Sequence, residues 1–277
     1  MNAEEAVAKG WEIVPELRAR AELATTDRRL PRENVEALRR SCSLKTIQAM
    51  RNGGYGLGIR SHVDVIRTLG RGCGSTAWVA GVAHAHSWLI SHFPEAGQDE
   101  IYSDPDALVS AVIGPRGRAV RTADGYSLTG VWPFGSGCEN ADWLLLGCVV
   151  VDVDGNEVDQ GDVAVRQSDV TIRDDWFVSG LKGTGSCTME VTDLAVGEHL
   201  FVSLASVVMR KSPGASLHAE WVQNCAAVPV GVRLSSPLCR AYDDLQAINN
   251  HGLLKVETNL EMYGRLLVGQ PPNTPLI

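Results

Sequence analysis

With 277 residues, 44% of them hydrophobic and 21% charged, the chain is long enough for a buried core and too apolar for a disordered polypeptide. Its 25 basic against 33 acidic residues give a formal charge of -8, which argues against a binder of nucleic-acid backbones. The opening MNAEEAVAKGW has neither a basic head nor an apolar core, and no later run approaches the roughly 20 apolar residues of a membrane helix, so a cytoplasmic protein without a membrane partner is expected.

In chain order, Val7, Trp11, Val14, Leu17 and Ala21 recur at helical spacing and predict an amphipathic first helix. Pro31 opens a second, PRENVEALRRS, where its missing N–H does no harm. Ser61 is placed to cap a third helix ending near Leu69, and Ser75 a fourth through STAWVAGVAHAHSWLISHF. From about Leu108 the pattern turns to short β-rich runs, ALVSAVI, GRAVRT, YSLTGVW, WLLLGCVVVDV, DVAVRQ, DVTIR and CTMEVTDLAV, with turn pairs at Asp124-Gly125 and Asp154-Gly155. Helical signals return in SSPLCRAYDDLQAINNH and LLKVETNLEMYGRLLVG.

The predicted fold class is therefore α+β. It comprises an N-terminal helical domain over 1–104, a central antiparallel β-barrel or sheet over 105–205, and a shortened C-terminal helical region over 206–277. Seven cysteines form no CxxC pair or Cys/His cluster with metal-ligand spacing, so reduced thiols and no metal are expected.

Three stretches carry a family resemblance: LGRGCGSTAWVAGVAHAHSW, GYSLTGVWPFGSGCENADWLLLG and WFVSGLKGTGSCTMEVTDLAV. They resemble segments of the acyl-CoA-dehydrogenase-like flavin-dependent monooxygenases, the oxygenase components of two-component flavin hydroxylases. SSPLCRAYDDLQAINNHGLL is similar to their last core helices. The resemblance implies that reduced flavin (FMNH2 or FADH2), supplied by a separate flavin reductase, meets oxygen in a dry pocket and hydroxylates an aromatic or polyketide-like small molecule.

By the same resemblance, the segment from Trp132 through Phe134, Gly135 and Ser136 to Gly137 lies against the flavin. His251 stands near the site of oxygen transfer, and His86 on the substrate side. A serine that some relatives carry to bond flavin N5 is Gly135 here, and Ser136, one position on, is expected to point to the opposite side of its strand. Thr184, Gly185 and Ser186 in LKGTGS lack Walker spacing and are candidates for flavin contact only within the resemblance. His84, two residues from His86, should face elsewhere on its helix.

The dehydrogenase branch uses a glutamate near the position of His251, which disfavours that activity. Relative to the family, about two long helices are expected to be missing before SSPLCRAYDD, and Asp243-Asp244 stands where the family has Arg-Asp. Two alternatives stay open: a flavin-independent cyclase or dehydratase on the same scaffold, and a non-catalytic partner of a full-length homologue. A homo-oligomer or a hetero-oligomer with such a homologue is expected.

Overall fold

The computed structural model describes residues 1–218. The helical part consists of α1 (Ala3–Ala19), α2 (Ala21–Asp27), α3 (Arg32–Arg40), α4 (Ile59–Leu69), α5 (Gly74–Ile90) and α6 (Glu95–Ile101). Asn2 and Glu5 form a reciprocal capping box that fixes the start of α1. Val14 and Leu17 of α1 are buried as their spacing predicts, and Leu17 joins Leu38, Ile66, Leu69, Val79 and Ala80 in one helical core. Trp11 is on the outer face, 47% exposed, with the Arg71 guanidinium 5.4 Å from its ring centroid. The third predicted helix begins earlier than Ser61, at Ile59 after Gly58, and Ser61 is buried within it.

The strands are β1 (Val109–Thr122), β2 (Gly125–Gly135), β3 (Trp143–Val151), β4 (Glu157–Arg166), β5 (Thr171–Arg173), β6 (Cys187–Gly197) and β7 (Phe201–Ser203); a short α7 (Leu204–Val208) follows. They form one sheet in the order β5-β6-β2-β1-β3-β4-β7. Asp124-Gly125 closes the β1–β2 hairpin, with Thr122 opposite Gly125. ALVSAVI and GRAVRT are two halves of β1, and a register shift between Val112 and Gly117 separates them.

Of the expected antiparallel barrel or sheet, the structure forms the open sheet, and it departs from antiparallel pairing at one place. After β2 the chain crosses to the far side of β1, so β3 pairs with β1 in parallel, while the other neighbours are antiparallel. The edges, β5 and β7, are three residues each and are not paired with one another, so the sheet stays open.

Trp132 anchors the sheet core. Its ring has no exposed surface, its Nε1 donates to the Gly147 carbonyl at 2.7 Å, and it lies over Gly117 and Gly130, where any added Cβ would overlap the indole. Gly117 stands opposite Gly130 in the β1–β2 register, and the two glycines together leave the space that Trp132 fills. The predicted helices SSPLCRAYDDLQAINNH and LLKVETNLEMYGRLLVG, with His251 and Asp243-Asp244, lie outside the described residues.

Candidate functional site

Two loops that leave adjacent strands meet where β2 ends and β6 begins. Gly135 is opposite Cys187 in the β2–β6 register, so the residues just past Gly135 and just before Cys187 become neighbours. Gly137 takes φ +73, which favours glycine, and donates its N–H to the Thr184 carbonyl at 2.8 Å. This backbone bond fixes the segment Trp132–Gly137 against Thr184, Gly185 and Ser186.

The outcome is a cluster of hydroxyls. Ser136 Oγ is 2.8 Å from Ser186 Oγ, and Ser186 Oγ is 2.7 Å from Thr184 Oγ1. Thr184 Oγ1 donates to the Leu181 carbonyl at 2.9 Å. At the other end Trp78, on α5, donates its indole N–H to Ser136 Oγ at 3.0 Å. Thr184 and Ser186 are buried, whereas Ser136 is only half-buried and forms the accessible end. Ser136 lies beyond the last residue of β2, so strand alternation does not govern its direction and it does not turn away from the cluster.

Gly135 has a packing reason of its own. A Cβ there would stand 2.7 Å from the Met189 methyl, so Met189 occupies the space that a serine side chain would need. Phe134 holds a left-handed φ of 72°, which is costly for a bulky residue, and its ring meets Trp176 edge-on at 6.1 Å between centroids. The Trp176 indole in turn donates to the Leu181 carbonyl at 3.2 Å. Trp132, by contrast, is wholly inside the sheet core and offers no side-chain surface to a ligand.

His86 and His84 diverge on α5, as two-residue spacing on a helix requires. His86 Nδ1 lies 2.7 Å from the Val109 carbonyl, which can only accept, so the ring carries its proton on Nδ1 and its Nε2 lone pair meets no partner among the described residues. Burial lowers its pKa to about 4, and it is neutral at physiological pH. The next residue along β1, Ser110, donates its Oγ to the Ser136 carbonyl at 2.9 Å, so β1 joins His86 to the hydroxyl cluster. His84 instead donates through Nε2 to the Ser43 carbonyl and pairs with His62 at 2.8 Å, both rings held neutral by burial. That pair is structural.

The sequence reading named Ser136, Thr184, Gly185 and Ser186 separately and missed Trp78, Ser110 and Trp176. Trp78 stands inside the stretch STAWVAG, yet helical periodicity alone cannot show that its indole reaches a loop 58 positions away. His251 lies outside the described residues. Among those residues no group of three or more His, Cys, Asp or Glu is placed to hold a metal ion, and no helix is long and apolar enough to cross a membrane.

No protein-family model matches the sequence. The chain is 35% identical over 203 residues, 73% of its length and 51% of the relative's, to the flavin-dependent monooxygenase oxygenase subunit HsaA of Mycobacterium tuberculosis strain H37Rv. It is 33% identical over 194 residues, 70% of its length and 47% of the relative's, to the oxygenase component of an FADH(2)-dependent resorcinol hydroxylase from Rhizobium sp. strain MTP-10005. The crystal structure of the M. tuberculosis HsaA monooxygenase superposes with a TM-score of 0.82 at 28% identity, covering 98% of this chain and 78% of that one. The chain spans about half the length of the curated relatives it matches.

Proposed function

We propose, from the premise that this chain is homologous to the oxygenase components of flavin-dependent monooxygenases with the acyl-CoA-dehydrogenase-like fold, that it takes part in hydroxylating an aromatic or polyketide-like small molecule with reduced flavin. A separate flavin reductase would deliver the FMNH2 or FADH2. The observation that carries the reading is the Ser136–Ser186 bond, which joins the two segments resembling flavin-facing parts of the family into one polar cluster.

The residues present fit a planar ring with a polar edge. Ser136 Oγ is the accessible end of a buried hydroxyl chain, and the half-buried Phe134, packed edge-on against the buried Trp176, gives apolar surface two residues before it. When bound, reduced flavin supplies the electrons that activate dioxygen for insertion of one oxygen atom into the substrate. Ser136 would orient the ring edge, and Thr184 and Ser186 would hold Ser136 in place. Gly137 would keep the loop close through its bond to Thr184. His86, neutral and with no partner to Nε2 among the described residues, would accept a hydrogen bond from the hydroxyl of a phenolic substrate and orient it. Trp132 would act from beneath, by fixing the strand that ends at Gly135.

The reading extends to an oligomer, for which the exposed Val208 and Met209 offer apolar surface, and to a cytoplasmic setting, in which the five free cysteines among the described residues would stay reduced. Anaerobic titration of the purified chain with reduced FMN and reduced FAD tests it. Saturable binding of either is expected; no binding of either removes flavin from the account and leaves a flavin-independent reaction at His86 or a non-catalytic partner role.

A further inference from the structure

Two of the five free cysteines among the described residues, Cys138 and Cys187, meet across the β2–β6 pair. Gly135 stands opposite Cys187 in the register, so side chains at these two positions share one face of the sheet. Gly135 has none, and the chain turns back over it at Gly137: the Cβ of Cys138 lies 3.3 Å from where a Gly135 Cβ would stand. Cys138 therefore occupies the place of a cross-strand partner to Cys187. The two thiols come within hydrogen-bonding reach of each other, and Cys138 Sγ also lies 3.7 Å from the Gly185 carbonyl oxygen. Both side chains are buried and both are reduced.

We propose that Cys138 and Cys187 are a peroxide-sensitive thiol pair that closes to a disulfide, with Cys187 as the attacking sulfur and Cys138 as the resolving one. The Cys187 thiolate attacks one oxygen of hydrogen peroxide. The O–O bond breaks, a sulfenic acid forms on Cys187, and the departing hydroxide takes up a proton and leaves as water. The Cys138 sulfur then attacks the Cys187 sulfur; the S–O bond breaks, the S–S bond forms, and the hydroxyl leaves with the Cys138 proton as a second water. Two thiols lose two electrons in all, and one peroxide is reduced to two waters. Reduced flavin and dioxygen give peroxide when no substrate takes the oxygen, so in the proposed function the oxidant arises beside the pair. The thiol chemistry itself needs peroxide and no bound flavin.

The surroundings divide the roles. A hydrogen bond from the Cys138 thiol lowers the pKa of Cys187, against the opposing effects of burial and of the Glu139 and Asp175 carboxylates. The Arg28 guanidinium places positive charge close to the same sulfur. Cys138 is shifted the other way by its bond to Cys187, by burial and by Glu139, so it keeps its proton until the sulfenic acid forms. The opening lies on the Ser136 side: Ser136 is half-buried and two residues from Cys138, and Cys187 directly follows Ser186. Cys148 is the internal comparison, buried on β3 with its pKa pushed up to about 12 chiefly by burial. In a reducing compartment the disulfide is transient, which suits a sensor rather than a structural bridge.

The experiment treats the folded, reduced chain with hydrogen peroxide in the absence of flavin, removes the excess with catalase, alkylates the remaining thiols in denaturant and maps the peptides by mass spectrometry without reduction. The expected result is a linked peptide pair joining Cys138 to Cys187, formed at least about tenfold faster than any oxidation of Cys148 and reversed by dithiothreitol. In Cys138→Ser, dimedone should trap Cys187 as its sulfenic acid, whereas Cys187→Ser should leave Cys138 a free thiol. Wild-type Cys138 and Cys187 that both stay alkylatable, or that join other cysteines instead of each other, overturn the inference. A sulfenic acid on Cys138 in Cys187→Ser, with none on Cys187 in Cys138→Ser, overturns the assignment of attacking and resolving sulfurs. The wild-type map decides the disulfide whether or not either variant folds, and with no flavin present its outcome is separate from the flavin reading.

Discussion

Ser136 and Ser186 are fifty positions apart in sequence and share a 2.8 Å hydrogen bond between their hydroxyls. The contact exists because β2 and β6 are neighbours in the sheet, and it couples the two loops that the proposed flavin site requires. If the pair acts as a unit on the ligand, its members should not contribute independently. Ser136→Ala is expected to weaken reduced-flavin binding about tenfold, and Ser186→Ala less. The double variant should fall short of the sum by about 1 kcal/mol in a double-mutant cycle read by flavin titration. Strictly additive losses would mean that Ser186 does not act through Ser136.

His86 is expected to act through Nε2 while Nδ1 keeps its bond to Val109. Asparagine can supply the N–H in place of Nδ1 but has no basic lone pair. His86→Asn should therefore fold, bind flavin as the wild type does, and lose about a hundredfold in kcat. Its pH–rate profile should lack the acid limb that a histidine with a pKa of about 4 imposes. Normal turnover in this variant would remove His86 from the chemistry and leave it as a packing residue.

Acid stability follows from four buried histidines. Burial is the leading cause that lowers the pKa of His62 to about 3 and of His84, His86 and His92 to about 4. Unfolded, each titrates near 6.5, so between pH 6.5 and about 4 the unfolded chain binds protons that the folded chain refuses. The stabilisation is complete above pH 6.5 and is lost as pH falls, by up to about 1.4 kcal/mol per pH unit for each histidine. Chemical denaturation across this range should show a steep decline, and His92→Gln should make it shallower.

Asp162 gives the opposite sign. It is buried on β4, its Oδ1 has no hydrogen-bond partner among the described residues, and desolvation raises its pKa to about 8. Folded, it stays protonated where the unfolded chain has already ionised, so its contribution is greatest below pH 4 and is lost as pH rises from about 4 to about 8. Asp162→Asn should thus become more stable than the wild type as pH rises through that window. Thermal melts of the two proteins at pH 5 and pH 8 give the comparison, and equal differences at both would contradict the assignment.

Much of the fold was legible because it is local. The alternation in YSLTGVW and the Asp124-Gly125 pair specify the β1–β2 hairpin, and the spacing of Val14 and Leu17 specifies the buried face of α1. What escaped is non-local. Parallel pairing of β1 with β3 depends on a crossover that no window of sequence contains, and the register shift at Val112 to Gly117 makes one strand read as two. The short β7 carries too few residues for a periodic signal.

The candidate site divides in the same way. Gly137 and Gly185 stand out in sequence, and each does hold a left-handed turn. That Ser136 faces Thr184 and Ser186 is not legible in the sequence, because Ser136 lies one residue past the end of β2, where strand alternation no longer holds. Trp78 and Ser110 entered only through contacts made across the fold.

The most direct test of the central claim supplies the chain with reductase-generated reduced flavin, isotopically labelled dioxygen and a panel of phenolic substrates, and examines the products by mass spectrometry. The account predicts a hydroxylated product that carries one labelled oxygen atom and forms far more slowly in His86→Asn. Hydrogen peroxide as the sole oxygen product across the panel, despite bound reduced flavin, would contradict it.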